Sequence, residues 1–292
     1  MNRRLPEWLT VKAPKRGMYE EMAGFLKAMG LHTVCQSASC PNIGECFSRR
    51  TATFMILGNA CTRDCGFCGV RHGRPVTVDP EEPRRVAEAA ARLGLRYVVV
   101  TSVTRDDLDD GGASQFAETV RHVKARIPSA MVEILIPDFG GNWDALEQVL
   151  ESAPFVLNHN VETVPRLYPV VRPGASYDRS LELLETARRL RPSIYVKSGL
   201  MVGLGEEKVE VVEVLGALRR AGCDIVTIGQ YLQPSRTNLP VVEYIPPARF
   251  EEYEQIGRRM GFRQIAAGPF VRSSYHAAEI SGVGRAVSSG PT

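Results

Sequence analysis

The stretch Thr51-Ala-Thr-Phe-Met-Ile-Leu-Gly-Asn-Ala-Cys61-Thr-Arg-Asp-Cys65-Gly-Phe-Cys68 joins two signals end to end. Its first seven residues are apolar and β-prone, the pattern of a buried strand. Three cysteines spaced C-x3-C-x2-C follow at once. A strand that delivers chemistry-bearing residues at its C-terminal end is how α/β barrels place their sites. Downstream the rhythm repeats. Further strands are expected at Tyr97–Ser102, Met131–Ile136, Phe155–Asn158, Ser193–Val202, Asp224–Gln230 and Arg263–Ala267. Helices are expected between them at about 80–93, 112–127, 142–152, 177–190, 206–221 and 247–260, with Glu81, Glu82 and Arg92 placed to suit a helix dipole. Continuously apolar strands separated by such helices are parallel βαβ units. Six units predict an α/β fold, a partial (β/α)6 barrel of TIM type over residues 51–267. Residues 1–50 and 268–292 flank it, and the Gly- and Ser-rich tail Ser281–Thr292 reads as mobile.

The bulk composition narrows the function. The chain has 292 residues, 44% hydrophobic and 24% charged, with a formal net charge of +3. That balance carries no nucleic-acid footprint, and the locally basic stretch Arg3–Arg16 reads as a solvated arm. No run of 18 or more apolar residues and no signal peptide are present, so no membrane partner is expected and the location is cytoplasmic. Seven cysteines in a reducing compartment point to metal or catalysis, and the odd count argues against a disulfide framework.

Polar clusters follow the expected strands, as a barrel mouth requires. They include Thr101 to Gly112, Asn158-His159-Asn160-Val161-Glu162-Thr163, Gly199 to Glu206 and Gln230-Tyr-Leu-Gln-Pro-Ser235; the third strand offers only Pro137-Asp138. Asp106–Asp110 reads either as ligand contact or as a solvated turn. Lys197, among Ile194, Tyr195, Val196 and Leu200, requires an anionic partner if buried. Asn158 and Glu162 are candidates to hydrogen-bond a ribose or the substrate, whereas His159 reads equally as a satisfied structural histidine. The Gly199–Gly205 stretch lacks a Gly-Lys-[Ser/Thr] ending, so it predicts close backbone approach to a ligand rather than a P-loop. Arg172 reads as a carboxylate binder or as a surface pair, Trp8 as packing or as a brace, and Cys223 as a small buried hydrophobe.

Six cysteines form two triplets: Cys61, Cys65 and Cys68, and Cys35, Cys40 and Cys46 spaced C-x4-C-x5-C. Each supplies three thiolates, one short of a closed zinc site or a fully ligated [4Fe–4S] cluster. Zinc remains an alternative on spacing alone. The second triplet resembles the signature of radical S-adenosylmethionine (SAM) enzymes, where an open iron chelates SAM and one electron cleaves it to a 5′-deoxyadenosyl radical. There Asp110-Gly111-Gly112 resembles the Gly-rich stretch that offers carbonyls to the methionine ammonium.

Both triplets together with Pro41-Asn-Ile-Gly-Glu-Cys46, Gln230–Ser235 and Arg272-Ser273-Ser274-Tyr275 resemble the lipoyl synthase family from about residue 5 to about 278. The resemblance implies two [4Fe–4S] clusters and SAM as co-substrate. It makes Cys61, Cys65 and Cys68 ligands of the SAM-cleaving cluster. Cys35, Cys40 and Cys46 would hold an auxiliary cluster whose fourth ligand is Ser273, with Ser274 the alternative. Asp110, Gly111, Gly112, Asn158, Glu162 and Lys197 would then serve SAM or the substrate. The implied reaction inserts sulfur at C6 and C8 of an octanoyl-lysine on a lipoyl carrier domain, of a 2-oxoacid dehydrogenase or the glycine cleavage H protein. A reducing partner such as ferredoxin or flavodoxin is implied too. The rivals are another dual-cluster radical SAM enzyme, biotin-synthase-like or methylthiotransferase-like, and a non-catalytic Fe–S protein. A [2Fe–2S] auxiliary centre would favour the first, and failure to cleave SAM the second.

Overall fold

The computed structural model describes residues 5–10, 17–49, 51–274 and 277–280. Tyr275, most of the basic arm and the tail Ser281–Thr292 lie outside them. Eight strands form one sheet in sequence order: β1 (His32–Thr33), β2 (Thr53–Ile56), β3 (Tyr97–Ser102), β4 (Met131–Leu135), β5 (Val156–Asn158), β6 (Tyr195–Val202), β7 (Ile225–Gln230) and β8 (Gln264–Gly268). β2 to β8 are parallel, and β1 is antiparallel to β2. The sheet does not close.

Eleven α-helices accompany the sheet among the described residues. α1 (Met18–Ala28), α2 (Val34–Ser37) and α3 (Ile43–Ser48) precede β2. The crossovers run through α4 (Glu82–Arg92), α5 (Ala113–Arg126), α6 (Trp143–Glu151), α7 (Tyr168–Val171), α8 (Tyr177–Leu190), α9 (Lys208–Arg220) and α10 (Pro247–Arg259), and α11 (Ala277–Ile280) follows. Local chemistry sets their starts. Asn142 caps α6 by accepting from the Ala145 amide at 3.1 Å, and Ser176 caps α8 by accepting from Arg179 at 3.3 Å. Pro247 opens α10, where its missing N–H is harmless.

The six crossovers match the expected units, because unbroken valine-rich apolar strands and periodic amphipathic helices are both distinct in sequence. The segment before β2 was not legible in the same way. α2 and α3 span only four and six residues, too few for a helical period to show. Glu82 also departs from expectation. It is buried rather than serving the dipole in water, and it accepts from the Leu57 amide at 2.8 Å and from Gln115 at 3.2 Å.

The core is continuous around the strands: Val98, Val100, Val132, Ile134, Leu157 and Val196 are fully buried beneath Leu146, Leu183 and Leu215. Truncating one such leucine, Leu146→Ala, costs about 2–5 kcal/mol in lost packing and cavity. Inside the barrel the composition changes. Glu133 on β4 and Lys197 on β6 are both buried and pair at 2.7 Å, so the anionic partner that burial of Lys197 required is Glu133.

Candidate active site

The C-terminal strand ends open on one cavity of about 420 Å³. Cys61, Cys65 and Cys68 line it from the loop after β2, and Cys35 and Cys40 from the segment around α2. Ser273 and Ser274 line it from the chain after β8, and Glu162 from the loop after β5. Cys46 is not among the lining residues, but it is near enough to Cys35 and Cys40 for their charges to act on it. Asp110, Gly111, Gly112, Asn158 and Lys197 are not in the lining either.

The loop carrying Cys61, Cys65 and Cys68 is fastened on several sides. The Cys61 amide donates to the Arg71 carbonyl at 2.9 Å, and its sulfur accepts from the Thr104 amide at 3.3 Å. Between the cysteines, Arg63 forks onto Asp106 (2.8 and 2.7 Å) and reaches Asp138 at 2.7 Å. Asp138 also accepts from Arg179 at 2.9 Å. Burial would raise the Asp138 carboxyl, but the Arg63 bond overrides it and holds the group far below the usual carboxylate range. The third strand end, sparse in sequence, is thus an anchor of the cysteine loop. Asn238 donates to the Cys68 carbonyl at 2.9 Å from the loop after β7, and Gln230 staples that loop through the Ile245 amide at 2.8 Å.

Burial raises the thiols: Cys65 upward, Cys68 to about 12, Cys35 to about 11 and Cys46 to about 12. They are protonated at neutral pH without iron, so metal loading must release protons. Among the described residues no three His, Cys, Asp or Glu side chains close around a point as a single ion requires. A four-iron cube offers its irons at separate corners and does not require that closure.

The wall beside the second triplet is polar. Glu162 adopts φ +66°, an uncommon region for a residue with a side chain and a mark of functional sites. It accepts from Asn160 Nδ2 at 3.0 Å, and burial raises its carboxyl. Arg172 is buried, which removes the surface-pair reading. Its Nη1 donates to the Asn160 carbonyl at 2.9 Å, and its guanidinium lies over Tyr168, 5.4 Å from the ring centroid. Arg172 Nε and Asn160 Oδ1 are buried without a hydrogen-bond partner among the described residues. Both belong to lining residues, so the wall has polar capacity for a ligand. Three soft thiolates facing that wall suit an iron–sulfur cube with one open corner.

Other expectations find plain structural partners. Asp110 accepts from the Gly112 and Ser114 amides at 2.8 Å each, capping the start of α5. A Cβ at Gly112 would lie 2.3 Å from Leu57 Cδ1. Asn158 donates to Glu133 at 3.3 Å. His159 is buried with Nδ1 donating to the Ile136 carbonyl at 2.9 Å, and burial lowers it to about 4. Cys223 is fully buried, whereas Trp8 is exposed. Arg63, Asp138, Asn160 and Asn238 were given no individual role from sequence, and Arg63, Asp138 and Asn238 act through partners distant in the chain. Arg63, between two cysteines, carried the one signal that could have found it.

A family model of the radical SAM superfamily matches residues 55–218. A lipoyl synthase of Caldanaerobacter subterraneus subsp. tengcongensis is 60% identical over 95% of this chain and 97% of its own. One of Caldicellulosiruptor saccharolyticus is 55% identical over 96% and 98%. Among solved structures, the [FeFe]-hydrogenase maturase HydG shares the fold at TM-score 0.59 and 16% identity, over 90% of this chain and 66% of that one. Streptococcus suis SuiB does so at 0.58 and 11%, over 78% and 53%. The chain belongs to the lipoyl synthase family of radical SAM enzymes.

Proposed function

We propose that the protein inserts two sulfur atoms, at C6 and C8, into an octanoyl chain amide-linked to a lysine of a lipoyl carrier domain. Membership of the superfamily brings one [4Fe–4S] cluster and SAM, and Cys61, Cys65 and Cys68 are the residues to hold that cluster. Cys35, Cys40 and Cys46 with Ser273 would hold a second, auxiliary cluster as sulfur donor. The observation that carries this reading is that five of these cysteines and Ser273 line one cavity. No helix among the described residues is long and apolar enough to cross a membrane; the reading places the protein in the cytoplasm, with an acceptor carrier and a one-electron reducing partner.

When bound, the cluster and SAM supply a 5′-deoxyadenosyl radical able to abstract hydrogen from an unactivated carbon. The chain's task is placement and exclusion of water. Arg63, Asp106 and Asp138 hold the cysteine loop rigid, while Glu162 and Arg172 offer opposite charges to a zwitterionic ligand. Met55, Leu135, Ile136, Leu200 and Met201 line the same cavity and provide apolar surface for an alkyl chain. On this reading 1–50 and 268–292 form the auxiliary site, and 51–267 the radical-generating barrel.

The test is anaerobic reconstitution with iron and sulfide, then SAM, a strong reductant and an octanoyl-lysine peptide from a lipoyl domain. Mass spectrometry should show a gain of two sulfurs as the dithiol formed under reductant, with loss of two hydrogens once air closes the disulfide. An unchanged peptide beside 5′-deoxyadenosine would leave the radical SAM chemistry standing and overturn the substrate.

A further inference from the structure

The chain after β8 crosses the barrel mouth as a strap, and its fastenings stand apart from both cysteine triplets' thiols. At one end the Phe270 carbonyl accepts from Asn42 Nδ2 at 2.7 Å, a residue lying between Cys40 and Cys46. At the other, the Ser273 carbonyl accepts from Lys197 Nζ at 2.5 Å, and the Ser273 hydroxyl accepts from Asn160 Nδ2 at 3.0 Å. Between them the strap lies flat on β7, where a Cβ at Gly229 would sit 2.1 Å from the Val271 carbonyl oxygen.

The Lys197 end is the unusual one. Lys197 and Glu133 are buried inside the barrel, beneath the cavity. Glu133 accepts from Lys197 at 2.7 Å, Tyr97 OH at 2.6 Å and Asn158 Nδ2 at 3.3 Å. A buried ion pair is seldom the most stable filling for a core, and a well-packed apolar pair often does as well or better. What an apolar pair cannot supply is a donor to a carbonyl on the strap.

We infer that the Glu133–Lys197 pair is a positioning device for Ser273: Glu133 aims the ammonium, Lys197 fixes the serine's carbonyl, and Asn160 turns its hydroxyl toward the cavity. The hold on the strap stands on this geometry alone. Its consequence for sulfur insertion rests on the reading of Ser273 as a cluster ligand.

The test compares three full-chain variants by hydrogen–deuterium exchange of residues 270–274, before and after anaerobic reconstitution. Glu133→Gln/Lys197→Met removes both charges, so no lone ion is left buried. Gly229→Ala lifts the strap sterically without touching the pair. Leu146→Ala weakens the core away from the strap. Exchange should rise at least tenfold in the first two and stay near the parent rate in the third, with sulfur insertion falling more than SAM cleavage. Unchanged exchange in the double variant, or an equal rise in Leu146→Ala, overturns the positioning role. Faster exchange with undiminished sulfur insertion upholds the hold on the strap and overturns the reading of Ser273 as ligand.

Discussion

The two cysteine triplets face one cavity but are supported by different kinds of structure. Cys61, Cys65 and Cys68 sit on a loop between parallel strands, fastened by backbone bonds at Cys61, by Arg63 onto two aspartates and by Asn238 at Cys68. Cys35 and Cys46 sit on two short helices with Cys40 between them, and this segment meets the barrel through a two-residue antiparallel strand, the Thr51 bonds to the Cys46 carbonyl, buried Phe47 and the Asn42 contact with the strap. Rigid support suits a centre that must survive many turnovers. A segment of short helices, closed by a strap from the far end of the chain, suits a centre that the proposed sulfur donation would dismantle and rebuild.

The sharpest way to break this contrast is to empty one triplet at a time. Replacing Cys61, Cys65 and Cys68 by Ala should abolish 5′-deoxyadenosine formation. Replacing Cys35, Cys40 and Cys46 should leave SAM cleavage and remove the thiolated product. Chromatography with mass detection reads both, and equal loss of SAM cleavage in the two variants would erase the division of labour. Ser273→Ala should behave like the second variant; full product yield from it would move the fourth ligand to Ser274.

A smaller effect tests the rigid support. Asp138→Asn leaves Arg63 and Arg179 without a buried anion and should destabilise the iron-free protein by about 4 kcal/mol in urea titration. A change below about 1 kcal/mol would mean Asp106 alone suffices to hold the loop.

Acid should strain the barrel wall through His159. Its folded value is about 4 and its unfolded value about 6.5. Below pH 6.5 the unfolded chain takes up a proton that the folded one refuses, so stability falls between pH 6.5 and 4. The loss is on the order of 3 kcal/mol when complete. His159→Gln should flatten that part of the curve, and an unaltered slope would assign it elsewhere. Last and smallest, Asn42→Ala removes one hydrogen bond between the strap and the first triplet's segment. It should cost about 1 kcal/mol, detectable as faster exchange around Phe270.

The contrast also explains what the sequence could and could not show. β3 (YVVVTS) declares itself by an unbroken apolar run and α8 (YDRSLELLETARRL) by the period that one-sided burial imposes on a helix. The first triplet's scaffold has no such period, since helices of four and six residues are fixed by capping and tertiary contact. Within the site, the cysteines and Glu162 stood out by residue type, whereas Ser273 came only from the resemblance carried by Arg272-Ser-Ser-Tyr275. Glu133 was not: in MVEIL it is one polar residue in an apolar strand, and its meaning depends on Lys197, 64 residues later. Asp110 reads in sequence as ligand contact or as part of a solvated turn, and its side-chain oxygens hold the Gly112 and Ser114 amides at the start of α5.

The strap has a consequence for how the protein is made. Asn42 meets Phe270 across 228 residues, whereas Asn238 closes over Cys68 across 170. During synthesis from the N-terminus, the segment bearing Cys35, Cys40 and Cys46 emerges first yet gains its strap last. The Cys61 loop reaches its contact with Asn238 while the strap is still within the ribosome. Any iron–sulfur delivery to the completed first-triplet site must therefore come after the barrel has formed beneath it.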